Sequence, residues 1–238
     1  RAGRRLIAHA AHGSILGMLS LVFVTGSAPS KWIRRYQEAT GDSVEAIDAA
    51  DPWAVLIDAP SSPPTVALLR LPDPRLDAAS EDFHMVRLYE EAPGVAVPKD
   101  SVYAEVGEQV AESDLADEYV NLPFSHRPDV DALREALQVV AANVGVAYGP
   151  LPLLKHLSKK QVVPLEVAGP SVAPTPIALV WRKDDDCDAI QDFVGITKGR
   201  SVRSSRANAA QKSHKSHKKR KKGKAIQPRG RGRRRGRN

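Results

Sequence analysis

The spacing of apolar residues near the start of the chain changes within about twenty positions. Residues 19–24 (LSLVFV) are apolar almost throughout and rich in branched and aromatic side chains, which predicts a buried strand. The small polar residues at 25–30 then predict a turn. In residues 31–40 (KWIRRYQEAT) the apolar side chains share one helical face, with Ser30 as the predicted cap. The pattern therefore opens as a strand, a tight turn and an amphipathic helix.

The alternation of buried strand and helix continues along the chain. Two more strands are predicted at 44–47 and 65–71, and a helix between them begins at Pro52 with Asp51 as its cap. The order strand, helix, strand, helix, strand indicates a parallel sheet with helices on its faces. A second set of elements follows: strands at 85–91, 94–98, 118–123, 145–150 and 177–182, and helices at 131–143, 151–157 and 184–194.

Charge divides the chain into two parts. From Lys198 onward there are 18 Lys or Arg and no Asp or Glu, whereas residues 1–197 hold 17 Lys or Arg against all 28 acidic residues, a net charge of −11. After Gly199 the only bulky aliphatic residues are Val202 and Ile226. Such a segment buries too little apolar surface to offset the entropy lost on folding, so we predict that it is disordered when alone.

The motifs that usually carry catalysis or metal binding are missing from the acidic body. Cys187 is the only cysteine, so no intrachain disulfide forms. The sequence has no Gly-rich phosphate loop, no Cys/His metal spacing and no nucleophile elbow. We interpret the acidic run at 184–188 as helix capping and surface charge, because hard-cation loops usually alternate ligands with spacers. We therefore predict no enzyme activity, no cofactor, no metal and, from the shortness of the apolar runs, no membrane partner.

Six segments of the body, taken in order and spacing, resemble the effector-binding domain of LysR-type transcriptional regulators. The resemblance covers roughly residues 19–195, and the common order of the segments makes it specific. The segments are VFVTGSAPSKWIRRYQEAT, VALLRLPDPRLD, RLYEEAPGVAVPKD, DLADEYVNLP, VVAANVGVAYGPLPLL and PTPIALVWRKDDD.

That resemblance implies an α/β fold like that of type 2 periplasmic binding proteins, with two lobes, two crossover strands and a small-molecule cleft between the lobes. Two departures from the family are expected. The winged helix-turn-helix is not found before the first strand, and only FSHRPDV separates Pro123 from the helix at 131–143, which predicts a trimmed second lobe.

The expected division of the chain follows from the resemblance and from the charge pattern. A leader or linker remnant comes first, then the LysR-like domain with its two lobes, then the disordered polybasic tail. The boundaries are 1–17 for the leader, 18–197 for the domain (lobe I about 19–90 and 177–195, lobe II about 91–170) and 198–238 for the tail.

The resemblance also implies an effector site between the lobes. The turn after the first strand faces the effector in the family, and its free backbone N–H groups and hydroxyls suit a small anion. The predicted effector-binding residues are Thr25, Gly26, Ser27, Ser30, Arg70, Gly94, Pro123, His126, Tyr148 and Gly149. Two alternatives stay open: the turn is a plain capped connection, and Arg70 is a surface residue paired with Asp73.

The basic tail is predicted to bind nucleic acid, DNA more than RNA, by neutralising phosphates and releasing counterions. It contains no aromatic residue, so base stacking does not contribute. The alternative is a solvated tail that folds back on the acidic body. The predicted contact residues are Lys212, Lys215, Lys218, Lys219, Arg220, Lys221, Lys222, Lys224, Arg229, Arg231, Arg233, Arg234, Arg235 and Arg237.

Three functions are compatible with these features. The first is a cytoplasmic, non-enzymatic, LysR-like sensor of a small molecule, transcription- or nucleoid-associated, which contacts nucleic acid through the tail; a homodimer is left open. The second is a scaffold that has lost effector binding and presents the tail to RNA or the ribosome. The third is a solute-binding component of an uptake system, which the polybasic tail disfavours.

Overall fold

The computed structural model describes residues 17–107 and 109–199. None of the helices in these ranges is long and apolar enough to cross a membrane. The described strands, β1 to β10, span Met18–Val24, Ser43–Ala49, Thr65–Arg70, Phe83–Glu91, Pro93–Pro98, Gln109–Ala111, Val120–Leu122, Val146–Pro150, Val162–Ala168 and Thr175–Arg182. The described α-helices, α1 to α7, span Ser30–Thr40, Pro52–Asp58, Pro74–Ala78, Val102–Val106, Val130–Ala141, Leu151–Leu157 and Asp188–Thr197.

The first sheet belongs to lobe I and has the strand order β2-β1-β3-β10-β4. Strand β1 pairs in parallel with β2 and with β3, which confirms the parallel arrangement predicted from the strand–helix alternation. Strand β10 lies antiparallel between β3 and β4. The sheet is therefore mixed, and it is completed by a strand that follows the whole of lobe II in sequence.

The second sheet belongs to lobe II and has the order β6-β9-β5-β8-β7. Its central strand β5 runs antiparallel to both β8 and β9. Sequence patterning missed β9 because Pro164 interrupts its apolar run, and missed β6 because three residues are too few to show a period. Residues 123–129 connect β7 to α5 without forming a helix or a strand.

Helices cover both faces of the first sheet. On one face α1 and α7 meet, and the ring of Tyr36 packs edge-on against Phe193 with centroids 5.6 Å apart. On the other face α2 places Trp53 against Phe83, with centroids 4.9 Å apart. Aromatic side chains are therefore buried on both faces of the first sheet, and this packing stabilises the positions of its strands.

The second sheet is covered less evenly. Helices α5 and α6 bury one face, where Leu133, Leu137 and Leu154 form the core. The opposite face carries Tyr148 and is covered by the short helix α4, a 3₁₀ turn at Glu112–Leu115 and the connection after β7. This thinner cover leaves a pocket over the sheet, which is described below.

Two predicted helix starts are wrong. Ser30 is the first residue of α1 and not its cap, since Pro29 occupies the capping position. No side chain at that position accepts a hydrogen bond from the first turn of the helix. Helix α7 begins at Asp188 rather than at 184. The acids before it are engaged elsewhere: Lys183–Asp185 forms a 3₁₀ turn, and the indole N–H of Trp181 donates to Asp186 at 3.0 Å.

Candidate effector cleft

A cleft of about 360 Å³ lies where the two lobes meet. Lobe I contributes the carboxyl ends of β1 and β3 and the residues that follow β2, and lobe II contributes the start of α5. Ligands of open α/β sheets bind beyond the carboxyl ends of the strands, so the position is appropriate for a ligand. The charged residues of the lining are Asp51, Arg70, Asp73, Arg127, Asp129 and Asp131.

Arg75 joins two of the cleft carboxylates. Its two terminal nitrogens donate to Asp51 at 2.7 and 2.8 Å, and its Nε and Nη2 donate to Asp73 at 3.1 and 2.9 Å. The hydrogen bonds from Arg75 lower the pKa of Asp51 below its ordinary value, against the effect of burial. Burial raises the pKa of Asp73, but the hydrogen bonds from Arg75 and the charge of Arg127 outweigh it and lower the pKa overall.

Arg127 connects the two lobes. Its Nη1 lies 3.1 Å from Asp73 Oδ1, and the Asp73 side chain is 1% exposed whereas that of Arg127 is 34% exposed. Beside it, the Asp129 carboxylate caps α5 by accepting from the backbone N–H groups of Asp131 and Ala132 at 2.8 and 2.9 Å. The helix N-terminus that faces the cleft is therefore already occupied by a carboxylate of the protein.

Arg70 is neither a free counter-charge nor a surface residue paired with Asp73. Its side chain is buried, and its Nε donates to Glu91 at 2.7 Å. Its Nη1 donates to the carbonyl of Thr25 at 3.0 Å. The guanidinium therefore links the turn after β1 to the end of β4, where the chain leaves lobe I.

The turn after β1 uses its own polar groups. The Thr25 hydroxyl donates to Asp48 at 2.5 Å, and the Ser27 hydroxyl donates to the Val24 carbonyl at 2.8 Å. Gly26 has a positive φ of 88°, and a Cβ added there would lie 2.8 Å from the Cα of Leu153 in α6. Glycine is required because the turn touches the second lobe directly.

The residues predicted for the lobe II side do not gather in the cleft. Pro123 and Tyr148 line a separate pocket over the second sheet. Gly94 and Gly149 pack against α6, where an added Cβ would meet Leu154 in both cases. His126 is held at the lobe junction by its Nδ1, which lies 2.9 Å from the Thr175 hydroxyl. The predicted contact residues of the tail, from Lys212 to Arg237, lie outside the described residues.

Sequence analysis missed most of the charged residues that form the cleft, namely Asp51, Asp73, Arg127, Asp129 and Asp131. Two of them carry a signal that could have been used, since Asp51 and Asp73 each precede a proline shortly after a predicted lobe I strand. Arg127 carries none, because its connection to Asp73 depends on how the lobes meet. Within residues 17–107 and 109–199 no group of His, Cys, Asp or Glu is arranged to hold a metal ion.

No protein-family model matches the chain, and no curated protein matches it. Solved structures do match. The BenM effector-binding domain with its effector benzoate aligns with a TM-score of 0.54 and 18% identity, over 83% of this chain and 95% of that domain. The reduced OxyR regulatory domain from Pseudomonas aeruginosa gives a TM-score of 0.54 and 14% identity, over 76% of this chain and 97% of that one.

A full-length OxyR variant from Pseudomonas aeruginosa aligns with a TM-score of 0.55 and 16% identity, over 82% of this chain and 71% of that one. BenM and OxyR are LysR-type regulators. The described residues therefore have the two-lobed, periplasmic-binding-protein-like fold of LysR-type effector-binding domains, which confirms the predicted fold class.

Proposed function

We propose that this chain is a non-enzymatic sensor that binds a small molecule between its lobes and takes part in transcription regulation. The observation that carries the proposal is the cleft itself: its charged lining comes from both lobes, and Arg127 of lobe II pairs with Asp73 of lobe I at 3.1 Å. A ligand that exchanges partners with this pair acts on both lobes at once. If the ligand binds more tightly when the Arg127–Asp73 pair is open than when it is closed, it shifts the equilibrium between these two arrangements of the lobes.

An anionic effector would take Arg127 as its counter-charge. Arg127 is the partly exposed member of the pair, and Asp73 would keep Arg75 as its partner when Arg127 turns to the ligand. Arg70 is unavailable for this role because Glu91 already neutralises it inside the protein. The proposal therefore assigns the anion contact to Arg127 and not to the turn after β1.

A thermal-shift screen with small carboxylates, benzoate among them, tests the sensing function. We expect one class of compound to raise the melting temperature of the full chain in a saturable way. The variant Arg127→Gln should lose that shift, whereas Arg35→Gln, which removes an exposed arginine of α1 outside the cleft lining, should keep it. A shift that survives Arg127→Gln contradicts the assignment of the contact.

We propose in addition that the basic tail binds nucleic acid, DNA more than RNA, in the cytoplasm. The support is its 18 positive charges without an acidic residue, beside a body of net charge −11. If the tail contacts about 6–10 phosphates, affinity for duplex DNA should fall by roughly 10³–10⁵ between 50 and 200 mM salt. Truncation after residue 199 should abolish binding, and binding that persists after truncation contradicts the proposal.

A second candidate is an RNA- or ribosome-associated scaffold without an effector. Two observations favour it: the turn after β1 packs directly on α6 at Gly26, and the Arg70 guanidinium is neutralised by Glu91. Both reduce the space and charge available to a ligand. The two candidates separate in one pair of measurements, since the scaffold predicts no specific thermal shift together with tight RNA binding.

A further inference from the structure

A second pocket, with a mixed polar and apolar lining, lies within lobe II on the thinly covered face of its sheet. It has a volume of about 320 Å³ and shares no lining residue with the cleft. Phe124 and Tyr148 supply aromatic rings, and Glu112 and Glu118 supply carboxylates. Among the described residues that line this lobe II pocket there is no Lys, Arg or His. The pocket therefore combines aromatic surface and negative charge without a cation of its own.

Tyr148 provides an independent sign of a missing partner. The residue is only 6% exposed and lines the pocket, yet none of the hydrogen bonds between described residues involves its hydroxyl. Because the only fully buried side-chain polar atom without a partner in the described ranges is Ser158 Oγ, the Tyr148 hydroxyl opens onto the pocket. A tyrosine inside a protein normally uses its hydroxyl in a hydrogen bond, and Tyr36 in lobe I does so by donating to Asp42 at 3.3 Å. The Tyr148 hydroxyl is thus an unused polar group at the wall of the pocket.

The carboxylates make the pocket electrically negative. Burial raises the pKa of the Tyr148 phenol, and the charges of Glu112 and then Glu118 raise it further. Glu112 is fixed in position because its Oε2 accepts from the backbone N–H of Ser171 at 3.0 Å. The same potential that disfavours a phenolate favours a cation.

We propose that the lobe II pocket binds an organic cation, a guanidinium or an alkylammonium group. The aromatic rings of Phe124 and Tyr148 attract the cation, and the carboxylate of Glu118 pairs with it. The Tyr148 hydroxyl oxygen accepts one of its N–H groups. The cation has two sources with the same chemistry: a free small molecule, or an arginine side chain from the Arg-Gly segment at 229–237 of the same chain.

Calorimetric titration of the full chain with n-propylguanidinium tests the chemistry, and the neutral isostere n-propylurea provides the control ligand. We expect propylguanidinium to bind and propylurea not to bind. Glu118→Gln should weaken the binding about tenfold, which is typical of losing one charged hydrogen-bond partner. Asp117→Asn removes the same charge one position away, outside the lining, and should change the affinity less than twofold.

A second chain distinguishes the two sources of the cation. In it the arginines of the tail segment are replaced by glutamine at positions 229, 231, 233, 234, 235 and 237. Equal affinity of both chains for propylguanidinium assigns the pocket to a free small molecule, whereas clearly tighter binding by the substituted chain shows that tail arginines compete for it. The proposal is overturned if neither chain binds propylguanidinium, if propylurea binds equally well, or if Glu118→Gln leaves the affinity unchanged.

Discussion

The cleft between the lobes and the pocket in lobe II both contain several carboxylates, but their charges are arranged differently. In the cleft Asp51 and Asp73 are matched by Arg75 and Arg127 at 2.7–3.1 Å. In the lobe II pocket Glu112 and Glu118 have no basic side chain beside them in the lining. Whether the charges of a cavity already have partners therefore indicates more about ligand binding than the net charge of the cavity does.

Matched charges hold structure, and unmatched charges are available to a ligand. Removing one member of a buried pair leaves an uncompensated charge and is strongly destabilising, whereas removing a polar group that has no partner costs little. Substitutions around the cleft should therefore change stability first, and substitutions in the lobe II pocket should change ligand binding first. Four measurements test this difference.

The largest effect is expected from the buried pair behind the cleft. Arg70→Met leaves the Glu91 carboxylate buried without its partner, and it should lower the free energy of unfolding by about 3–5 kcal/mol in urea titrations. The double variant Arg70→Met with Glu91→Leu should recover most of that loss, because no charge remains buried. A single variant as stable as the parent chain would show that the pair is not buried in solution.

The contact between the lobes at Gly26 should come next. Gly26→Ala forces a side chain into a positive φ and against the Leu153 backbone, and it should cost about 1–3 kcal/mol of unfolding free energy. Gly107→Ala is the matched control, since Gly107 has a φ of 84° but its nearest potential contact lies 3.8 Å away. Equal losses in the two variants would mean that the lobes are apart at Gly26.

A smaller effect is expected at Arg75, and it depends on pH. The lowered pKa values of Asp51 and Asp73 contribute stability above their ordinary value of 3.8, and this contribution is lost as the pH falls through the lowered values. Arg75→Gln should cost about 1–2 kcal/mol at pH 7, because the pair with Asp51 is partly exposed and screened by solvent and the buried Asp73 keeps Arg127 as its partner. It should also flatten the acid side of the stability profile, and an unchanged profile would contradict the assignment.

The smallest effect on stability is expected in the lobe II pocket. Tyr148→Phe removes a hydroxyl that has no partner in the described ranges, so the free energy of unfolding should change by less than about 0.5 kcal/mol. The same substitution at Tyr36, whose hydroxyl donates to Asp42, should cost about 1 kcal/mol. If Tyr148→Phe proves the costlier of the two, the Tyr148 hydroxyl has a structural partner and the comparison fails.

The elements with the strongest patterns were predictable from the sequence. Strands β1 and β3 are apolar over most of their length, and α1 places Trp32, Ile33 and Tyr36 on the face that packs on the sheet. Strand β9 was missed although it pairs with the centre of the second sheet, because a proline breaks its apolar pattern and its partners are distant in sequence. The apolar pattern along a segment indicates which secondary structure the segment prefers, but it does not indicate which strand it pairs with.

The candidate site was predictable only in part, and Arg70 shows why. Its position at the end of β3 places it in the lining of the cleft. Its partner Glu91 lies 21 residues further along the chain, so no local spacing reveals that the charge is already neutralised. Tyr148 was expected in the cleft, but its side chain lies on the face of the second sheet that carries the lobe II pocket.

Apolar periodicity and charge are properties of neighbouring residues, so the alternation of strands and helices and the separation of an acidic body from a basic tail could be predicted from the chain alone. The division into two lobes was implied by the resemblance to LysR-type domains. The pairing of charges, with Arg70 on Glu91 and Arg127 on Asp73, came from the tertiary structure, and so did the lack of a basic side chain among the described residues that line the lobe II pocket. The physical reason is that electrostatic pairing depends on distance and burial in space, and the fold sets both by bringing together residues that are far apart along the chain.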